Sequence, residues 1–416
     1  MHSVGLIYLN MQSMDMKYKK YIYKTVDTFS PLYWQLNIFS LQCQLNVNIY
    51  FQLLRMALAA IISCLITSFS LYYKIVNIYH HLLASIKYTD IVQAIYDYLQ
   101  YVFDLFCVFK YGSDIFREYI NQYAYIDCLL DMDYYRYIRR NLMKVMFFLY
   151  CMWFCSSVFD FVTWDIGFGF VSTSAFVMGY VYTLIKILSN LDLTAHVMQI
   201  EARLRVIGDT IQNSYQSFDN ICPKFEDTIG KKNWFYNDCR TSTKTTDVRR
   251  NTCLCSNDVK WLSRCYVLLT EQVTFINNMF GRRILLNSLS FLLDLVRYIN
   301  LSVRILIGTQ YSGSSKQPAT STVFKAVNCA IVIFSLVSHC ERTYRQRDRI
   351  IKLIDHLTLF KKLDDQLLSS FMDMRNLIVS RSITFHTDFY TLNYSWLVSI
   401  ASVVVTYSII LLQNFN

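Results

Sequence analysis

From Met56 to Tyr73 the sequence runs MALAAIISCLITSFSLYY, eighteen residues without a charge. A helix of about 20 apolar residues crosses the ~30 Å hydrocarbon core of a bilayer, and a water-soluble domain has no place for many such helices. Comparable windows recur at about 54–73, 91–109, 142–161, 166–188, 284–303, 323–340 and 392–413. The expected fold is therefore all-α and polytopic, with seven transmembrane helices. Composition agrees, because 54% hydrophobic against 17% charged residues lies outside the range of soluble globular chains. Only 3 Pro and 10 Gly interrupt the helices, and no internal repeat is visible, which argues against a carrier built on broken, repeated helices.

Sidedness follows from the basic residues. The first fifty residues show no basic stretch, apolar core and cleavage site of a secretory signal, so the N-terminus is expected in the cytosol. With that start, 34 of the 40 Lys and Arg fall in inner segments and 5 in outer ones, with Arg297 inside a span, as the positive-inside rule requires. An odd number of crossings then puts the C-terminus outside. A G-protein-coupled receptor has the opposite orientation and a cytosolic tail, and is disfavoured. The net charge of +10 comes in short blocks between apolar runs, so no nucleic-acid partner is expected. The division that results is a cytosolic N-terminal segment (1–53), the first four spans with the first inner loop (54–205) and a mobile cytosolic insertion (206–257). It continues with the fifth and sixth spans (258–340), cytosolic anchor helices (341–391) and the last span (392–416).

Chemistry-bearing motifs are few. The 13 Cys are odd in number and scattered, which reads as reduced thiols. Cys222, Cys239, Cys253 and Cys255 lack the paired spacing of a zinc site. There is no phosphate loop, dinucleotide fingerprint, GxSxG elbow or HExxH helix, so neither enzyme activity nor a cofactor is expected. Two polar stripes stand out. Gln93, Asp97, Gln100 and Asp104 follow steps of four, three and four and share one helical face. Such a face turns toward a water-filled cavity or toward hydrogen bonds from neighbouring helices. In the last span Ser395, Ser399, Ser402, Thr406, Ile409 and Gln413 fall within roughly 80° of one another. Close helix packing and a ring of identical helices around an aqueous path both suit small hydroxyl residues there, and the Gln at the outer end favours the ring.

The last third of the chain resembles insect gustatory receptors, the chemoreceptor family related to insect odorant receptors. The resemblance runs from VNCAIVIFSLVSHCERTYRQRDRI through TFHTDFYTLNYSWLVSIASVVVTYSIILLQ. It ends on the family hallmark of Thr-Tyr, five mainly hydrophobic residues and Gln-Phe: Thr406, Tyr407, then Gln413, with Asn414 in place of the Phe and the aromatic one position later at Phe415. INNMFGRRILL and VDTFSPLYWQLNIFSL are weaker echoes. The resemblance implies a tastant-gated, non-selective cation channel in the plasma membrane of sensory neurons. It would be a homotetramer or heterotetramer with related receptors, with monovalent and divalent cations as its ion partners and membrane lipid around it. On the same resemblance the last helix would line the pore with Ser395 to Gln413, and cytosolic helices would anchor the assembly. A small tastant would enter among the outer halves of the second to sixth spans. Candidates there are the polar Gln93, Asp97, Asp160, Asp165 and Asn300 and the rings of Trp153, Trp164 and Tyr298. The alternative is a non-conducting seven-helix carrier or scaffold.

Overall fold

The computed structural model describes residues 16–42, 49–81, 84–111, 113–131, 134–221, 254–307, 317–361 and 363–414. They form helices α1 (Met16–Ile38), α2 (Ile49–Asn77), α3 (Ala84–Tyr111), α4 (Ser113–Leu130) and α5 (Tyr135–Phe168). After a one-turn helix at Phe170–Ser174 follow α6 (Val177–Ile221), α7 (Ser256–Ile307), α8 (Gln317–Phe360), α9 (Asp365–Ser380) and α10 (Tyr394–Asn414). Among the described residues the one strand-like pairing is an isolated bridge between His386 and Thr391.

Four of these segments are long and apolar enough to cross a membrane: α2, α5, α6 with the turn before it, and α8; α10 carries a shorter apolar stretch, Tyr394–Ile410. On α2 the side chains of Leu54, Leu58, Ile61, Leu65, Phe69 and Tyr72 are all exposed. A continuous apolar face of this length has no counterpart on a soluble monomer and is what hydrocarbon solvates. The remaining expected windows lie on α3 and α7, whose charged residues face one another instead of lipid.

At one end of the bundle the helices outrun these apolar windows and form a base. In α1, Tyr21, Thr25, Phe29, Leu32 and Leu36 are buried at steps of three and four, the period of one helical face. That face meets α4, where Phe116, Tyr119, Tyr123 and Asp127 repeat the same period; Tyr33 packs edge-on against Phe116. The expected plain N-terminal segment thus contains an amphipathic helix. Helix α7 buries Val259, Leu262, Tyr266, Leu269, Val273 and Ile276 in the base. Further along, the same stripe becomes Asn287, Ser290 and Asp294. Of the expected insertion, residues 206–221 continue α6, while 222–253, with Cys222, Cys239 and Cys253, lie outside the described residues.

At the other end, here the turn end, α2 passes into α3 and α5 into α6. Residues 160–165, where the third expected window gives way to the fourth, are instead the last part of α5, and the chain reverses around Gly169. Gly169 has φ +80°, which a residue with a Cβ adopts only under strain, so the reversal falls there and the aromatic run before it stays helical.

Candidate functional site

The face of α3 marked by its spacing is buried along its whole length, and α7 supplies most of its partners. Gln93 Nε2 donates to Ser290 Oγ at 3.1 Å and to Asp97 at 2.7 Å, and Gln100 Nε2 to Asn287 Oδ1 at 2.8 Å. Deeper toward the base, Arg283 Nε donates to Asp104 at 3.1 Å. Buried charges cost several kcal/mol each unless paired, and these are paired across helices. Lys186 of α6 lies 3.1 Å from Asp97 and 2.5 Å from Asp294. Arg297 reaches both Asp294 at 3.4 Å and Asp90 at 2.7 Å, and Asp90 in turn holds Lys74 of α2 at 3.0 Å. Lys74, Asp90, Arg297, Asp294, Lys186 and Asp97 therefore form a chain of alternating sign through α2, α3, α6 and α7.

A second cluster joins α5, α6 and α8. Asp160 accepts hydrogen bonds from Lys325 at 2.8 Å, Tyr180 at 2.7 Å, and Trp164 Nε1 and Ser321 at 3.0 Å each. Between the two clusters, at the turn end, lies a cavity whose empty space, open in part to the outside, is about 670 Å³. Asp90, Arg297 and Tyr298 form one side, Asp160, Trp164, Thr322 and Lys325 another, and Ile78, Tyr79, Ile86, Phe168, Phe176 and Leu301 complete it. A neighbouring space of about 400 Å³ shares Asp90, Arg297 and Tyr298 with it and extends to Gln93, Asp97 and Tyr182. Aromatic walls carrying a few oriented polar groups are the usual make-up of small-molecule sites.

The chain shares the fold of an insect olfactory receptor. The solved structure of the olfactory receptor OR5 from Machilis hrabei in complex with eugenol superposes with a TM-score of 0.55 at 12% sequence identity, over 94% of this chain and 99% of that one. A further structure of the same receptor gives a TM-score of 0.49 at 10% identity, over 86% and 89% of the two chains. No protein-family profile matches the sequence, and no curated protein sequence does either. Among the described residues no group of three or more His, Cys, Asp or Glu is arranged to hold a metal ion.

Within that fold, the sequence-derived ligand candidates separate. Asp160, Trp164 and Tyr298 line the larger cavity, and Gln93, Asp97 and again Tyr298 the smaller one. Trp153 is directed elsewhere, donating its Nε1–H to the Tyr180 carbonyl at 3.0 Å. Asn300 is buried and accepts from Arg304 at 3.0 Å. Asp165 lines neither cavity; its carbonyl receives the Gly169 N–H at 2.9 Å. Sequence reasoning missed Asp90, which stands one residue before the expected second span. It also treated Lys74, Lys186 and Lys325 as loop charges that orient helices, whereas all three are held inside the bundle by carboxylates. Their signal was present as isolated charges bordering apolar windows, where a long side chain has a carboxylate as its alternative to water.

Helix α10 has two distinct faces. Val404 is buried, and Trp396, Leu397 and Ile400 pack against the core. Ser395, Ser399, Ser402, Thr406, Ile409 and Gln413 are exposed, and so are Val398, Val405, Tyr407 and Ile410. The lead into the helix is held firmly: Tyr344 of α8 donates to the Leu392 carbonyl at 3.1 Å and accepts from the Phe385 N–H at 2.9 Å. Asn393 caps the first turn by accepting the Trp396 N–H at 2.9 Å, a role Asn fills well.

Proposed function

We propose that the chain is a subunit of a chemoreceptor channel of the insect odorant and gustatory type, gustatory in subtype. Four copies, alone or with related subunits, enclose a non-selective cation pore in the plasma membrane of a sensory neuron. A small tastant in the turn-end cavity opens it. The observation that carries this reading is the two-faced packing of α10. Trp396, Leu397, Ile400 and Val404 are used within the chain, while its hydroxyl line, continued by Ile409 and Gln413, is left open beside the exposed Val398, Val405 and Ile410. Identical helices around a water path give such a line a use. The olfactory receptor with the same fold, solved with eugenol bound, supports a small-molecule site.

The same packing supplies a route for gating. Arg297, Tyr298 and Leu301 of α7 and Thr322 and Lys325 of α8 line the cavity, and α7 and α8 are the helices on which α10 packs. A ligand that binds better when these helices have moved apart shifts the closed-to-open equilibrium by that difference in affinity. Recording currents from cells expressing the chain alone tests the assignment. Gln413→Ala should change ion selectivity or the ligand concentration for half-activation, and an unaltered conducting channel would remove Gln413 from the gate. Cysteines at Ser399, Ser402 and Thr406 should react with a water-soluble thiol reagent. Reaction confined to cysteines at Val403 or Val405 would put the pore on another face.

A further inference from the structure

Around the turn-end cavity the carboxylates are largely spent and the cationic donors are not. A carboxylate offers about four lone-pair sites, and Asp160 already accepts four hydrogen bonds. Asp90 accepts three, from Lys74, Tyr79 and Arg297. The Lys325 ammonium has three N–H donors and spends one, on Asp160. Arg297 keeps its Nε–H buried without a partner. Both cations lie against one ring, the Arg297 guanidinium 4.8 Å and the Lys325 ammonium 5.0 Å from the Tyr298 centroid. Exposure runs the same way: the Arg297 and Lys325 side chains keep 18% and 17% of their surface, against 12% for Asp90 and 2% for Asp160.

We infer that the cavity selects a small organic acid, its carboxylate received by Lys325 Nζ and Arg297 Nε and its apolar body lying against Trp164, Phe168 and Phe176. This rests on the reading of the cavity as the ligand site. An amine would bring donors and a like charge to a wall whose carboxylates have about one acceptor position left between them, and both an amine and an alcohol would depend on the neutral hydroxyl oxygens of Tyr79 and Thr322. A carboxylate brings acceptors alone, and charge-assisted hydrogen bonds are roughly twice as strong as neutral ones.

The test uses the full chain, purified and reconstituted in lipid nanodiscs, with butanoate, octanoate and 3-phenylpropionate as probes. Each is compared with the alcohol, methyl ester and amine of the same carbon skeleton. Saturable binding of at least one acid, tenfold or more tighter than its three analogues, is the expected result. The double variant Lys325→Gln with Asp160→Asn removes both charges and keeps hydrogen-bonding groups, so it should fold with an unchanged elution profile. It should bind that acid at least tenfold more weakly, while Lys325→Arg should retain binding. Equal or tighter binding of an amine or alcohol, absence of saturable binding for all three acids, or a folded double variant that binds normally would each overturn the inference. The channel reading fails separately: acid binding without ligand-evoked current removes the channel and leaves the acid site. Currents evoked by amines or alcohols alone do the reverse.

Discussion

Lys186 has 2% of its side chain exposed and sits between two carboxylates. Removing it leaves Asp97 and Asp294 buried and facing each other, and breaking a buried pair in this way costs about 3–5 kcal/mol. Lys186→Met should therefore lower the melting temperature of the protein in detergent markedly, and adding Asp294→Asn should restore at least half of the loss. An equally large loss in both variants would deny the ion chain a part in stability. Only one side of this arrangement was legible beforehand. The face Gln93, Asp97, Gln100 and Asp104 follows from helical period alone, but its partners stand between 89 and 197 positions further along the sequence. Period says nothing about distances of that kind. Trp153 and Asn300 show the converse, since residue type and depth suggested a ligand wall and tertiary packing turned both away from it.

Helix α7 carries the segment that leads into α10. A Cβ on Gly281 would stand 3.5 Å from the His386 carbonyl oxygen and 3.8 Å from Thr387 Cα, while Asn277 Nδ2 donates to the Thr384 carbonyl at 2.9 Å. Gly281→Ala fits that space and gains helix propensity, up to about 1 kcal/mol. Gly281→Val drives a second methyl toward backbone and should cost about 1–3 kcal/mol, seen as faster proteolysis between residues 381 and 393. Identical behaviour of the two variants would mean that the segment is not seated on α7. The helices themselves were readable from apolar periodicity. Their ends were less so: α5 runs on through Asp160–Asp165 because nothing there stops a helix before Gly169, and α1 escapes a search for spans because its apolar face is narrow.

Four copies related by fourfold symmetry, with the Ser395–Gln413 line of α10 turned inward, are the expected appearance of the purified protein in cryo-electron micrographs. A monomeric particle would favour the carrier or scaffold reading. The chain of six alternating charges also bears on how the protein is made. A helix bearing an unpaired charge enters the bilayer at a cost, and synthesis delivers these helices one at a time. When α3 follows α2, Lys74 already waits for Asp90. Asp97 stays uncovered until α6 brings Lys186. Helix α7 arrives last with Asp294 and Arg297 three residues apart and already in contact, a self-neutral couple. Translation order and charge order thus agree, and Asp97 is the one of these six charges that must be sheltered while the next two membrane helices are being made.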